Sequence, residues 1–150
     1  MSFILASSSF SIEVKSIESL DFSKTVKLEK SKTNLVFLFA SWCRACKDSF
    51  SKAVKLQQKY LTSKKIAIHL VSLDKKINDL ENFCNNFSTY NGSVVFFKDF
   101  NGKNVLNELV KNGIGYSGSI PHLTLFEDLK VIVDGNYNID PIILYLEKIE

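Results

Sequence analysis

Cys43 and Cys46 stand at C-x-x-C spacing in the segment Asn34 to Phe50, which reads N-L-V-F-L-F-A-S-W-C-R-A-C-K-D-S-F. Two thiols this close can exchange disulfides, one attacking as a thiolate and the other resolving the mixed disulfide. They can also hold a metal, but no second C-x-x-C or C-x-x-H exists to complete a zinc site. Arg44 adds a positive charge beside the first thiol, and Trp42 offers a flat aromatic surface before it.

The elements that position this pair can be read on either side of it. Leu35 to Phe39 is an unbroken apolar run, the pattern of a strand buried on both faces in a parallel sheet. From Cys43 or Arg44 to about Tyr60 the chain has helical spacing, with Cys46, Phe50, Ala53, Val54, Gln57, Tyr60 and Leu61 on one inward stripe. Lys47, Lys52, Lys55 and Lys59 fall outside that stripe. The cysteines therefore sit where a strand hands over to a helix, the usual place for chemistry in open α/β sheets. Unpaired N–H groups and the positive end of the helix dipole favour a thiolate at Cys43, which makes Cys43 the nucleophile and Cys46 the deeper, resolving thiol.

The remaining chain supplies alternating strands and helices. Ser11 to Ile17 alternates as an edge strand, and Thr25 to Glu29 predicts a second edge strand or hairpin arm. Ile66 to Leu73 predicts a second buried parallel strand, and Asn78 to Phe87 a helix carrying Leu80, Phe83, Cys84 and Phe87 inward. Val94 to Phe97 is a third strand. Asn104 to Asn112 predicts a helix with Val105, Leu106, Leu109 and Val110 inward, stopped by Gly113. His122 to Phe126 and Leu129 to Val133 predict an antiparallel hairpin closed at Asp134-Gly135-Asn136, and Asp140 a cap for a last helix with Pro141 in its first turn.

Bulk properties narrow the class. At 150 residues, 45% hydrophobic and 23% charged, the chain fits one soluble domain with its own core. Nineteen basic against sixteen acidic residues leave +3, spread along the chain, so nothing points to nucleic acid or an anionic membrane surface. No stretch approaches the length of a membrane span. Three cysteines suggest a working pair and a bystander rather than a disulfide scaffold. Residues 1–10, with Phe3 to Ala6 followed by Ser7 to Ser9, read either as the remnant of an export signal or as a flexible arm ahead of a domain over residues 11–150.

Phe39 to Lys47, F-A-S-W-C-R-A-C-K, resembles the active-site segment of the thioredoxin superfamily, and Gly118-Ser119-Ile120-Pro121 before an apolar strand resembles its cis-proline loop. The added helix and strand over Asn78 to Phe97 is similar to the insertion of the TlpA/ResA-like group of exported bacterial thiol-disulfide oxidoreductases. The resemblance implies an α/β, three-layer thioredoxin-like fold. Its mixed sheet would have helices on both faces, N-terminal edge strands and the insertion before the cis-proline loop. It also implies a protein-disulfide oxidoreductase, periplasmic or otherwise exported, monomeric and without cofactor. Such a protein exchanges electrons with protein thiols and an upstream redox partner, usually as a reductant for apocytochrome c or similar cysteine proteins.

Within that resemblance Cys43 and Cys46 are the catalytic pair, Trp42, Ile120 and Pro121 contact the substrate, and Arg44 tunes the thiolate. A cis-proline facing the cysteines leaves the Ile120 backbone free to pair with an extended substrate; a trans turn proline is the plainer alternative. Three positions depart from the family pattern. Phe37 replaces a buried acid upstream of the pair, Arg44-Ala45 replaces the usual proline between the cysteines, and Ser51 replaces a helix proline.

Other residues carry weaker expectations. His122 follows the proline but is expected to point away, His69 to be a satisfied core histidine, and Cys84 to pack as a small hydrophobe. Asp74 is expected to cap a loop and is the first acid to examine in place of the one missing at Phe37. The rival reading is a copper metallochaperone holding Cu(I) through Cys43, Cys46 and a histidine such as His122.

Overall fold

Thr33 to Phe39 forms β2, a strand whose seven residues are all buried, so side chains are packed against helices on both of its faces. The computed structural model describes residues 11–135 and 138–150. β1 spans Ile12–Ile17, α1 Phe22–Thr25, α2 Arg44–Lys59, β3 Ile66–Ser72, α3 Ile77–Asn85 and β4 Gly92–Phe97. α4 spans Gly102–Lys111, β5 His122–Glu127, β6 Lys130–Gly135 and α5 Ile139–Ile149.

The sheet order is β1-β4-β3-β2-β5-β6. β1, β4, β3 and β2 run parallel, while β5 and β6 are antiparallel additions on the far side of β2. Successive residues of β2 feed opposite layers. Leu35, Phe37 and Phe39 join one core with Phe50 and Ala53 of α2, Leu80 and Phe83 of α3, and Leu146 of α5. Val36 and Leu38 join a second core with Phe22 of α1 and Val105 and Leu109 of α4. Helices cover both faces, as the resemblance implies, and α3 with β4 is the insertion ahead of the proline loop.

The inward placement of Gln57 has a polar reason. β3 and β4 pair only over Leu70–Ser72 and Val94–Phe96, and the Gln57 amide bridges the gap below them. It donates to the Ile68 and Ser93 carbonyls at 3.1 Å and accepts from the Ser93 N–H at 2.8 Å.

Four expectations need correction. Thr25 to Glu29 is no strand: a helical turn over Phe22–Thr25 ends with the Val26 N–H on the Phe22 carbonyl, burying Phe22 and Val26 four residues apart. A single N-terminal edge strand results. Leu61 lies beyond the end of α2 and is exposed. In α4 the inward positions are Val105, Glu108 and Leu109, while Val110 faces solvent and Leu106 is at the margin. The cap of α5 is Asn138, whose side chain accepts from the Asp140 N–H at 3.0 Å, because the helix begins two residues earlier than expected. Gly113 does end the α4 segment, at φ +82°, where a side chain would be strained. Residues 1–10 and Asn136 lie outside the described residues.

Candidate active site

The register between β2 and β5 decides what meets at the end of the sheet. Leu38 pairs with His122 in an antiparallel ladder, so the end of β2, which leads to Cys43, and the start of β5, which follows Pro121, share one edge. The turn between β2 and α2 is held from β3. Asp74, buried just after that strand, accepts from the Ser41 N–H at 3.0 Å, from the Ser41 hydroxyl at 2.5 Å and from the Ser72 hydroxyl at 2.6 Å. Asp74 is thus a loop cap, as expected, and its oxygens are committed to that turn.

Cys43 is the N-cap of α2, with extended backbone at φ −83° and ψ 108°. Its Sγ is bonded to Cys46 Sγ, with the Cα atoms 5.3 Å apart, and accepts the Cys46 N–H at 3.2 Å. This is the position where the first N–H groups of a helix lack internal partners and take an acceptor from outside. A sulfur there carries negative charge more readily than elsewhere, through that N–H and the positive end of the helix dipole. The two sulfurs are unequal: Cys43 is 8% exposed and Cys46 fully enclosed.

The Ile120-Pro121 peptide is cis, and the Ile120 carbonyl oxygen lies 3.7 Å from Cys43 Sγ. Trp42, 72% exposed, and Arg44 border a groove of about 490 Å³ beside Cys43, completed by Lys47, Asp79 and Asn82. On the other side Pro121 borders a second groove with Ala45, Lys52 and Asp140, across which Lys52 and Asp140 pair at 2.8 Å. The structure therefore brings Trp42, Cys43, Arg44, Ile120 and Pro121 around one sulfur.

Hydrocarbon lies behind the disulfide. Phe37 stacks on Phe39 at 5.8 Å, Phe39 meets Phe50 at 4.6 Å, and Phe50 meets Phe83 at 5.0 Å, all in the cluster that contains Cys43 and Cys46. The replacement of the expected acid by Phe37 is thus part of a continuous aromatic floor.

His122 points to the opposite layer, as expected. It is buried, with Nε2 2.7 Å from Asp134 Oδ1 and its ring edge-on to Tyr116 at 5.9 Å. A copper site from Cys43, Cys46 and His122 does not assemble. Among the described residues no cluster of three or more His, Cys, Asp or Glu is placed to hold a metal. His69 is a satisfied core histidine, 3.1 Å from Asn34 Oδ1, and burial lowers its pKa to about 4. Cys84 is a buried free thiol pushed up to about 12 by burial, with the nearby charges of Asp74 and Glu81 adding to the rise.

Sequence reasoning missed Asp134. It accepts from the Thr124 hydroxyl at 2.9 Å and the Gly115 N–H at 3.0 Å in addition to its contact with His122. The sequence predicts Asp134 and Gly135 in the turn that closes the hairpin, whereas both lie in β6, paired with Thr124 and Leu123. Among the described residues no helix is long and apolar enough to cross a membrane.

A family model described as thioredoxin-like matches residues 31–128. Solved structures that resemble the chain include the following three. The thioredoxin domain of a thiol-disulfide oxidoreductase from Bacteroides vulgatus is 21% identical over 80% of each chain, at a TM-score of 0.57. A thiol-disulfide oxidoreductase from Bacteroides fragilis is 16% identical over 83% of this chain and 87% of that one, at 0.60. An exposed lipoprotein thioredoxin from Streptococcus pneumoniae is 17% identical over 79% and 86%, at 0.58. At these identities the likeness is one of fold. None of the curated proteins matches the chain.

Proposed function

Since the chain belongs to the thioredoxin-like family, we propose that it is a thiol-disulfide oxidoreductase acting on protein cysteines through Cys43 and Cys46. One observation carries this reading: Cys43 Sγ caps α2, accepts the Cys46 N–H, and faces the Ile120 carbonyl at 3.7 Å. In the reducing direction the Cys43 thiolate attacks a substrate disulfide. An S–S bond forms between Cys43 and one substrate sulfur, and the other substrate sulfur leaves as a thiolate. Cys46 then gives up its proton and attacks Cys43 Sγ, which releases the second substrate thiolate and leaves the protein oxidised. The two electrons have passed to the substrate, and an upstream dithiol restores the pair.

Trp42 and the Ile120-Pro121 backbone form the contact surface in this reading, with an extended substrate segment pairing beside Ile120. Arg44 stabilises the Cys43 thiolate. The chemistry needs no bound cofactor. Residues 11–150 act as one domain, monomeric, in an exported bacterial setting of TlpA/ResA-like type. There the task is to keep proteins such as apocytochrome c reduced. The exposed lipoprotein among the similar structures and the insertion of α3 and β4 support that setting. A Cu(I) carrier is the weaker reading, because His122 is engaged by Asp134 in the other layer.

Insulin reduction tests the activity. The wild-type protein should reduce insulin far faster than Cys43→Ser; equal rates would reject the reading.

A further inference from the structure

The loop 115–121 connects the second core to the disulfide, and a single carboxylate ties down both of its ends. Gly115, at its start, donates its N–H to Asp134 Oδ2 at 3.0 Å. His122, just after Pro121, has Nε2 2.7 Å from Asp134 Oδ1. Thr124 donates to the same Oδ1 at 2.9 Å. Between these ties the loop leans on the core at two places: Tyr116 stands edge-on to the His122 ring, and Ile120 packs partly against both hydrophobic clusters. Ser117 to Ser119 are exposed, and Gly118 has φ +111°.

We propose that Asp134 is a positioning residue for the disulfide-exchange site, closing loop 115–121 through Gly115 and His122 so that the Ile120 backbone is held opposite Cys43. The proposal rests on the oxidoreductase reading above and adds a residue from β6, the edge strand of the sheet, to the positioning of its substrate-docking surface. A carboxylate suits the task because two oxygens can accept several donors at once. β6 suits it because its pairing with β5 sets Asp134 directly across from Thr124. Gly115 is required by proximity, since a Cβ there would run into the Asp134 carboxylate. The brace acts on docking of an extended protein segment and not on the sulfurs, which α2 positions independently. Small misplacements of docking groups have large kinetic consequences.

The test compares insulin with dithiothreitol, a small thiol that needs no docking surface. Asp134→Ala should raise the KM for insulin about tenfold, with kcat and the rate of the oxidised protein with dithiothreitol within about twofold of wild type. Asp134→Asn keeps an oxygen for Gly115 and should restore most of the KM. Gly115→Ala should reproduce the rise with the carboxylate intact, which covers the case in which Asp134→Ala does not fold. Thr124→Val, which removes a partner outside the loop, should leave the KM unchanged. Amide exchange at residue 115, whose N–H donates to Asp134, should quicken about tenfold in Asp134→Ala or Gly115→Ala, a readout that does not depend on activity. An unchanged KM and unchanged exchange in both would overturn the brace. So would an equal fall in the dithiothreitol rate, or a rise in KM for Thr124→Val. Wild-type protein no faster than Cys43→Ser would reject the parent reading instead.

Discussion

Cys43 and Cys84 belong to the same hydrophobic cluster and are almost equally hidden, 8% and 4% exposed, yet their surroundings ask opposite things of sulfur. Cys43 precedes the first turn of α2, where the Cys46 N–H reaches its Sγ at 3.2 Å and the helix dipole favours negative charge. Cys84 lies near the end of α3 on the stripe formed with Leu80 and Phe83, and burial pushes its thiol up to about 12. Low exposure therefore does not decide whether a cysteine is chemical or structural. The decision lies with the backbone dipoles aimed at it and with a route, here beside Trp42 and Ile120, by which another sulfur can approach.

The largest expected effect is on alkylation of the reduced protein. At pH 8 a thiol at about 12 is about one part in ten thousand thiolate, so Cys43 should react with iodoacetamide at least roughly a thousandfold faster than Cys84. Peptide mass spectrometry over a time course measures both. Comparable rates in the native protein would break the comparison, and equalisation in denaturant would sharpen it.

The rule that burial enforces the neutral form also governs His69, with a smaller effect. Its folded pKa of about 4 lies below the ordinary 6.5, so the unfolded chain takes up the proton first. Stability is full above pH 6.5 and is lost as pH falls toward 4, by about 2 to 3 kcal/mol. Urea titrations at pH 7 and pH 4.5 should show the loss, and His69→Gln should diminish it; the same loss in His69→Gln would assign it elsewhere.

The smallest effect concerns Arg44, an exposed charge beside Cys43. Arg44→Gly should make the pair less oxidising by roughly 10 mV, the scale of a solvent-screened charge acting on one thiolate. A potential unchanged or raised would leave Arg44 as a solvated surface residue.

Much of the site was legible because its parts are local. Five apolar residues, a C-x-x-C and a helical stripe follow one another between Leu35 and Tyr60, and each pattern carries its own period. The proline loop was legible for the same reason. What escaped depends on pairings distant along the chain. Asp134 meets Gly115 and His122 only because β6 folds back on β5, with a register shift near Leu125 and Phe126 that no spacing announces. Thr25 to Glu29 misled because Val26 and Leu28 imitate a strand, whereas Phe22 and Val26 bury together as one helical turn. In α4 only Val105 and Leu109 of the four expected apolar positions are buried. The buried stripe takes in Glu108, whose Oε2 lies 3.8 Å from Lys111 Nζ, and leaves Val110 outside.

The central claim is that exchange begins at Cys43 and is resolved by Cys46. It is tested most directly by trapping the mixed disulfide. Cys46→Ser, reduced and mixed with insulin, should accumulate a covalent adduct mapped by mass spectrometry to Cys43, while Cys43→Ser should accumulate none because Cys46 is fully enclosed. An adduct at Cys84, an equal yield from Cys43→Ser, or no adduct in either variant would contradict the account.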